Sequence, residues 1–520
     1  MSGLVGSPRP QSRAAQWLPW LLWGVFTVSW AGQWPRLPVM LDPAYHLLVA
    51  QEVVAAGGPI GFETWQWAPV GRPNLYPPVL HVLLAGLIQW HLPPLEAIRL
   101  LSVVLPTLLV ASLWLVTRRR CGVDVGLACL AVTLTVPSFH HHTAMALAAA
   151  LGLIELLWWI EAIEQRRVMA AGLLVALLCY THLGLPAVAG VMGLIYWALR
   201  PDRRHEILAS AWGVLLVIPW WWHLWHHRAF LHPIARYENA VVQLPIMLWG
   251  AGLIGLWVCW RSKSRYAWLM ACLIGMAVFA PVYRYRWLNG EGLIPVLILA
   301  GIGLDRVAGW LATTIQRQQA CAIATIRAPW SNLRWLITLC LVLVLQVAPV
   351  AVWSSGRINW RAGMATEEPV AGLQSQTGLG SRAMRGVVDS VQRIARPGEI
   401  LWSNAPYAVG WVAALLAHPT ASAMLNEISP AKLFEPRDAA QVLMWFKFEP
   451  VPQQLVHQPG VTLVTDDEIV TIFRQPGTPF TVPPPRAVIP LWIAWWLMGV
   501  MVLSLIWDLG ARGRTTMKVG

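Results

Sequence analysis

Charged residues are scarce in this chain of 520 residues. Asp, Glu, Lys and Arg together make up 12% of it, whereas hydrophobic residues make up 57%. A water-soluble fold cannot bury so much apolar surface, so the composition predicts a polytopic α-helical membrane protein. The 38 basic residues outnumber the 25 acidic ones, but many of them cluster in short loops between apolar runs. This placement is typical of membrane topology and argues against a nucleic-acid-binding surface.

Paired cysteines and internal repeats are absent as well. Most of the seven cysteines lie within apolar runs, and none has the spacing of a metal-binding motif. The sequence therefore predicts neither a disulfide framework nor a structural zinc site. It also has no repeat of solenoid period and no inverted half-repeat of the kind found in transporters.

Long apolar runs take up most of the chain. A membrane-spanning helix needs about 20 predominantly apolar residues, and about twelve runs approach that length. The first run follows a basic N-terminus without a small-residue cleavage site, so we expect it to be a retained span and not a signal peptide. We expect spans at 14–33, 98–117, 123–139, 143–161, 168–182, 183–199, 207–225, 241–260, 266–283, 292–311, 335–353 and 488–507.

Basic clusters occupy every second loop between these runs. By the positive-inside rule, the side that carries them is the cytoplasm, which puts both termini of a plasma-membrane protein there. The run 76–90 is apolar too, but counting it as a span would break this alternation. We therefore expect it to be an interfacial or re-entrant helix. The clusters are Arg9 and Arg13; Arg118, Arg119 and Arg120; Arg166 and Arg167; Arg200, Arg203 and Arg204; Arg261, Lys263 and Arg265; Arg317, Arg327 and Arg334; and Arg512, Arg514 and Lys518.

Two long segments are left on the outer side. One is the first loop, 34–97, and the other is 354–487, whose polarity predicts a small extracytoplasmic α/β domain. The domain organisation is then a multi-span part, 1–353, followed by this domain and by a last span with a cytoplasmic tail, 488–520. Within the predicted domain, we expect strands in 399–404 and 461–473 and helices in 381–395 and 435–446.

Asp42 is the first candidate site residue. It precedes Pro43 at the start of an amphipathic helix, and this pattern is typical of a helix N-cap. However, Asp42 also follows the first predicted span, in a loop far longer than a connection requires, and such loops are often functional. Both roles are compatible. His46 lies about one turn later on the same face, where it could orient the Asp42 carboxylate.

The first loop carries a family resemblance. The segments DPAYHLLVAQEVVAAGG and WQWAPVGRPNLYPPVLHVLLAGL are similar to the C-type glycosyltransferase (GT-C) superfamily, and distantly to oligosaccharyltransferase catalytic subunits. This resemblance implies a GT-C-like fold, a polyprenyl-phosphate-linked sugar donor and an acceptor on the extracytoplasmic face. It also implies a catalytic or metal-binding role for Asp42. A divalent metal is an open expectation, and the resemblance names no other cofactor.

The second outer loop departs from the oligosaccharyltransferase pattern. That family carries paired acidic residues there, whereas this chain has His140, His141 and His142. Neighbouring residues of a helix point about 100° apart, so a helix cannot turn all three toward one ion, although an extended loop could offer two. The histidines are therefore either a site for a metal or a phosphate beside Asp42, or polar residues at a span end.

Arg284 and Arg286 lie on the predicted outer side, against the charge rule. The turn that contains them is similar to the GT-C turn that binds the lipid phosphate of the donor. The planar guanidinium suits a phosphate because it donates two parallel hydrogen bonds. The alternatives are an interface anchor and an ion pair with Glu291.

Three further features are weaker candidates. His182 at the end of a span could line a cavity, and the aromatic belt 220–230 reads as an interface anchor. Glu155 lies within a span, where a carboxylate is a site candidate by default, but it is near enough to the cytoplasmic end to reach water.

The resemblance implies a glycosyltransferase of the GT-C type. The stretch that corresponds to the sequon-recognition motif of oligosaccharyltransferases reads Trp402, Ser403, Asn404 and Ala405 and lacks its acidic residue. This departure argues against transfer to asparagine. Two alternatives stay open: a non-catalytic GT-C-like protein that binds a glycolipid or scaffolds a partner, and a transporter of a lipid-linked substrate.

Overall fold

The computed structural model describes residues 13–37, 42–231, 242–262, 265–281, 283–320, 330–347, 350–354, 357–361, 382–421, 436–447, 449–475, 482 and 484–511. Most of these residues are helical. Every apolar run predicted as a span contains a helix, because a continuous apolar run of that length favours one. The helices are α1 (Arg13–Ala31), α2 (Asp42–Ala56), α3 (Val79–Gln89), α4 (Pro94–Cys121), α5 (Val123–Leu134), α6 (Pro137–Met145), α7 (Leu147–Glu164), α8 (Val168–Thr181), α9 (Leu185–Leu199), α10 (Arg204–Ser210), α11 (Trp212–Leu215), α12 (Ile218–His226), α13 (Ile246–Arg261), α14 (Ala267–Met276), α15 (Arg284–Asn289), α16 (Leu293–Ala320), α17 (Trp330–Val347), α18 (Arg382–Ile394), α19 (Pro406–Leu416), α20 (Gln453–Val456) and α21 (Leu491–Ala511).

The helices differ in their capacity to cross a bilayer. Among the described residues, two stretches are long and apolar enough to cross alone, Pro94–Cys121 and Arg286–Gln318. Two bent pairs could each form one further span, namely α5 with α6, at 80°, and the helices from Pro201 to His226, at 61°. Several other apolar helices have only 10–17 residues. The expected count of about twelve spans therefore stays a prediction.

Two predicted spans end differently from their helices. Residues 242–245 and 350–353, expected inside the spans 241–260 and 335–353, belong to strands β3 (Val242–Pro245) and β4 (Val350–Ser354). They form an antiparallel sheet with β5 (Arg357–Arg361), in the order β3-β4-β5. The apolar pattern misled here because a short apolar stretch suits a strand as well as a helix end.

Close backbone contacts hold α13 against α16. A Cβ atom at Gly255 would lie 1.9 Å from the carbonyl oxygen of Leu299, and one at Gly303 would lie 2.0 Å from that of Ala251. Only glycine permits such an approach, and small residues at a helix crossing are typical of membrane bundles, where packing takes the place of the hydrophobic effect.

The first long loop (residues 34–97) folds around a buried ion pair. It contains α2, α3 and a two-stranded hairpin of β1 (Phe62–Glu63) and β2 (Arg72–Pro73), in which Glu63 pairs with Arg72. The Nε of Arg72 donates to Glu63 Oε2 at 2.7 Å, and both side chains are fully buried. Tyr45 donates its hydroxyl to Glu63 Oε1 at 2.8 Å, and Arg72 donates to Gln66 Oε1 at 2.7 Å. The 11 residues of α3 are too few to cross a bilayer alone.

Residues 382–475, named here the α/β unit, contain a four-stranded sheet. Its order is β6-β7-β9-β8, with β6 parallel to β7 and the other pairs antiparallel. The helix expected in 435–446 is wrong, because residues 442–446 form the interior strand β7. All five of its residues are buried, and periodicity does not separate a short buried strand from a buried helix. The strands are β6 (Leu401–Ser403), β7 (Val442–Phe446), β8 (Thr462–Asp466) and β9 (Val470–Arg474).

The first long loop is hydrogen-bonded to the α/β unit and to the start of the last helix, α21. Backbone hydrogen bonds join Ala68 N to Thr420 O at 3.0 Å and Thr420 N to Trp65 O at 2.7 Å. Earlier in the loop, the carbonyl oxygen of Gly57 accepts a hydrogen bond from the Leu491 amide at 2.7 Å. The side chain of Gln51 also donates to the carbonyl of Ala414 on α19. The position of α2 is therefore coupled to that of the α/β unit.

We predict that Arg72→Met destabilises the protein strongly, because it leaves the Glu63 carboxylate buried without its cation. Breaking a buried pair on one side costs about 3–5 kcal/mol, whereas replacing both partners costs less. The double variant Glu63→Gln/Arg72→Met should therefore recover part of the loss in thermal unfolding, followed by tryptophan fluorescence in detergent. Lys447→Met, which removes an exposed pair with Asp466, is the control. A loss for Arg72→Met no larger than that of the control would contradict the prediction.

Candidate functional site

Asp42 is the first residue of α2 and is followed by buried Pro43. Asp42 is half-buried, so part of the residue stays exposed to solvent. A carboxylate in the first turn of a helix is stabilised by the helix dipole. The interpretation of Asp42 as an N-cap stays a prediction. The catalytic assignment of Asp42 stays a prediction.

His46 lies on α2 within a buried aromatic cluster. Its Nδ1 is 3.0 Å from Nε2 of His81 on α3, and the rings of Tyr45 and Tyr76 pack against it. Burial lowers the pKa of His46 well below its usual range, and the nearby His81 and His182 lower it further. His46 is therefore neutral at physiological pH. Its predicted role in orienting Asp42 stays a prediction.

The second loop is a helix, and its histidines point in different directions. His140 Nε2 lies 2.9 Å from the carbonyl oxygen of Thr133, and the ring packs against Phe26. His142 Nε2 lies 2.9 Å from Glu291 Oε2. Residues two apart on a helix point about 200° from each other, so α6 separates the two rings. The side chain of His141 lies outside the described residues.

In the structure Arg286 forms an ion pair with Glu291, which is one of the alternatives that the sequence left open. Arg286 Nη1 lies 3.3 Å from Glu291 Oε1, and Glu291 is fully buried. The side chain of Arg286 is 17% exposed, so part of it stays accessible beside the ion pair. Its carbon Cζ lies over the ring of Tyr283 at 5.1 Å. The side chain of Arg284 lies outside the described residues, and the phosphate-binding role of both arginines stays a prediction.

His182 joins this group from the end of α8. Its Nε2 lies 3.4 Å from Arg286 Nη1. Its Nδ1 accepts hydrogen bonds from the backbone amides of Gly184 and Leu185 at 3.0 and 3.1 Å. His182 and Glu291 therefore both contact the Arg286 guanidinium.

Glu155 does not reach water as the sequence suggested. It is buried on α7, and its Oε1 accepts a hydrogen bond from the Thr181 hydroxyl at 2.8 Å. We expected the position of Glu155 near the end of the helix to bring it to water. Instead, α8 packs against α7 on this face and keeps solvent away from the carboxylate.

Glu52 is a functional candidate that the sequence did not single out. Its Oε1 accepts hydrogen bonds from the backbone amide and the hydroxyl of Thr64, at 2.5 and 2.8 Å. Its Oε2 is buried without a partner. Burial raises the pKa of Glu52 to about 8, although the Thr64 bonds act against the shift. The only sequence signal for Glu52 was that it is acidic and lies in a helix of mostly apolar residues.

No ready-made metal centre is visible in the described part of the chain, where no three His, Cys, Asp or Glu side chains are grouped to hold an ion. A divalent metal at Asp42 therefore stays a prediction. A cleft of about 560 Å³ lies between the α/β unit and the ends of the first long loop. Its lining includes Trp34, Arg99, Met384, Arg385 and Asp389.

The fold has solved counterparts. Over 89% of this chain and 98% of the other, it matches apo ArnT from Cupriavidus metallidurans with a TM-score of 0.56 at 17% identity. For ArnT bound to undecaprenyl phosphate the coverages are 88% and 98%, the TM-score 0.54 and the identity 15%. The archaeal oligosaccharyltransferase AglB from Archaeoglobus fulgidus, solved with an inhibitory peptide and a dolichol-phosphate, matches over 84% and 70% with a TM-score of 0.46 at 12% identity.

The likeness to ArnT shows a shared fold. Because ArnT is a GT-C glycosyltransferase, the predicted resemblance to the GT-C superfamily is confirmed at the level of the fold. No family model and no curated protein matches the sequence. The chain thus has a fold similar to that of ArnT.

We predict that Glu52 makes a contribution to stability that falls as the pH rises from about 4.5 to about 8. In this window the folded state keeps a proton that the unfolded chain has released, since the pKa is 4.5 unfolded and about 8 folded. The group contributes a slope of up to about 1.4 kcal/mol per pH unit. In thermal unfolding between pH 5 and 9, the stability of wild type should therefore fall relative to that of Glu52→Gln. Glu468→Gln, at an exposed position, is the control, and equal slopes for wild type and Glu52→Gln would refute the prediction.

Proposed function

We propose that this protein is a membrane glycosyltransferase that transfers a sugar from a polyprenyl-phosphate-linked donor to an acceptor on the extracytoplasmic face. The observation that carries the proposal is the contact of Arg286 with the buried Glu291 and with His182, in a chain whose fold is similar to that of ArnT. The undecaprenyl phosphate bound to ArnT supports a lipid of this class as the carrier.

Arg286, with Arg284, would bind the donor phosphate. Negative charge grows on that phosphate as the glycosidic bond breaks, and a positioned guanidinium stabilises the transition state for that reason. The buried Glu291 carboxylate supports this role, since it fixes the direction of the Arg286 side chain before a donor arrives.

Asp42 would act as general base. The oxygen of the acceptor hydroxyl attacks the anomeric carbon and passes its proton to the Asp42 carboxylate. The bond from the anomeric carbon to the phosphate oxygen breaks, and its electron pair leaves with the lipid phosphate. A positioned base is worth typically about 10²- to 10⁴-fold in rate. Holding a metal or the acceptor is the alternative role for the same carboxylate.

The acceptor would approach from the α/β unit. The cleft beside α18 combines an indole ring, two guanidinium groups and a carboxylate, and such groups recognise the hydroxyls and charges of a polar headgroup. Because the first long loop holds both α2 and this unit, an acceptor seated there would be positioned relative to Asp42.

We predict that Asp42→Asn abolishes transfer while the protein still folds, because asparagine keeps the size and capping oxygen of aspartate but is no base. Mass spectrometry should compare the envelope glycans and glycolipids of three strains. These are a deletion strain, the same strain carrying the wild-type protein, and the same strain carrying Asp42→Asn at matched membrane abundance. A sugar-bearing species should vanish on deletion, return with wild type and stay absent with Asp42→Asn.

The control is Asp438→Asn, which removes an exposed carboxylate of the α/β unit and should restore the species. Full restoration by Asp42→Asn would refute the catalytic role and leave the carboxylate as a helix cap, in favour of a binding or scaffold protein. Movement of a lipid-linked sugar without any new glycosidic bond would instead identify a transporter.

A further inference from the structure

A glycine in the Arg286 turn makes room for the imidazole of His142. A Cβ atom at Gly290 would lie 2.5 Å from His142 Nε2, which is closer than two such atoms can approach. Any residue with a side chain at this position would therefore push the ring away. His142 lies on α6 and Gly290 follows α15, so the two elements meet closely at this point. The close approach brings the ring to Glu291, the next residue of the turn.

The imidazole makes the shorter of two contacts with the Glu291 carboxylate. His142 Nε2 lies 2.9 Å from Oε2, whereas Arg286 Nη1 lies 3.3 Å from Oε1. Beside a guanidinium the Glu291 side chain is a carboxylate, which only accepts hydrogen bonds, so His142 carries a proton on Nε2 and donates it to Oε2. Glu291 is fully buried. Its two oxygens therefore each have a protein donor in place of solvent.

The division of this carboxylate between two partners matters for the guanidinium. A carboxylate with a single guanidinium partner gains most from a bidentate pair, in which two parallel N–H groups face both oxygens. Such a pair would take up the same fork of donors that suits a phosphate. In the structure His142 engages Oε2, and Arg286 contacts Oε1 through one nitrogen. Arg286 is also partly exposed while Glu291 is not, so a ligand can reach the guanidinium but not the carboxylate.

We infer that His142 is a positioning residue, which holds the Glu291 carboxylate so that the Arg286 guanidinium stays available to a phosphate. The inference rests on the proposed function, in which Arg286 binds the donor phosphate. In this role the imidazole touches neither donor nor acceptor. The second outer loop then serves the site through a hydrogen bond to a carboxylate, and not through a metal or phosphate contact of its own.

The test removes the imidazole with and without the carboxylate that it holds. His142→Leu keeps a similar volume but has no donor, whereas His142→Gln places an amide N–H near the position of Nε2. Both substitutions are also combined with Glu291→Gln, whose uncharged amide forms no bidentate ion pair with Arg286. Binding of undecaprenyl phosphate and of undecaprenol would be measured on the full-length protein in nanodiscs, together with the melting temperature.

We expect His142→Leu to bind undecaprenyl phosphate roughly 10- to 100-fold more weakly, because a captured guanidinium loses a charge-assisted hydrogen bond to the phosphate. Binding of undecaprenol should not change, and His142→Gln should stay close to wild type. In the Glu291→Gln background, His142→Leu should weaken binding by less than about threefold, since no carboxylate is left to capture the guanidinium. His418→Leu removes a buried histidine of the α/β unit that contacts a backbone carbonyl, and it is the control for a general loss of stability.

A loss of equal size in both backgrounds would overturn the inference, because His142 would then act on the ligand or through the fold and not through Glu291. If His142→Leu binds as tightly as wild type while Arg286→Gln binds weakly, the inference is wrong and the proposed role of Arg286 stands. If Arg286→Gln also binds as wild type, that role and the inference fall together. None of these results tests turnover, so a failure of the proposed transferase shows separately, in the Asp42→Asn strains.

Discussion

The ion pair of Glu63 and Arg72 is the interaction on which the rest of the first long loop depends. Both side chains are fully buried, and desolvating two charges is costly unless further hydrogen bonds satisfy them. Tyr45 on α2 and Gln66 in the loop supply such bonds. The pair thereby joins the hairpin to the helix that begins at Asp42. Since the following residues bond to Thr420 and the preceding ones to α21, this single cluster links three parts of the chain.

A second buried carboxylate organises the other half of the candidate site. Glu291 is reached from α6 by His142, 149 residues earlier in the chain, and from α15 by Arg286. Oligosaccharyltransferases carry an acidic pair in the second loop, and the sequence of this chain has histidines there instead. In the structure the loop supplies an imidazole, and the acidic partner comes from the Arg286 turn.

The sequence could predict the features that depend on local pattern. Apolar length located the helices, and short runs with strand-like composition located β6, β8 and β9. It failed at β7 and at β3 and β4, where a short apolar run fits either a strand or a helix. Contacts between distant residues were beyond reach. Nothing in the segments around His142 and Glu291 encodes their pairing, since packing of whole helices decides it. Asp42 and Arg286 were found through the family resemblance and through charges that break the expected side preference.

The charge balance around Arg286 bears on the role that we propose for it. Glu291 lies 3.3 Å from the guanidinium and supplies an opposite charge. If Arg286 binds the donor phosphate as proposed, this neighbour would make the site hold the phosphate less tightly than a free cation would. Tight binding of the ground state does not speed the chemical step, whereas fixed donors gain strength as charge moves onto the leaving oxygen. In the proposed transferase, a preoriented and partly neutralised guanidinium would therefore suit both the departure of the lipid phosphate and its release afterwards.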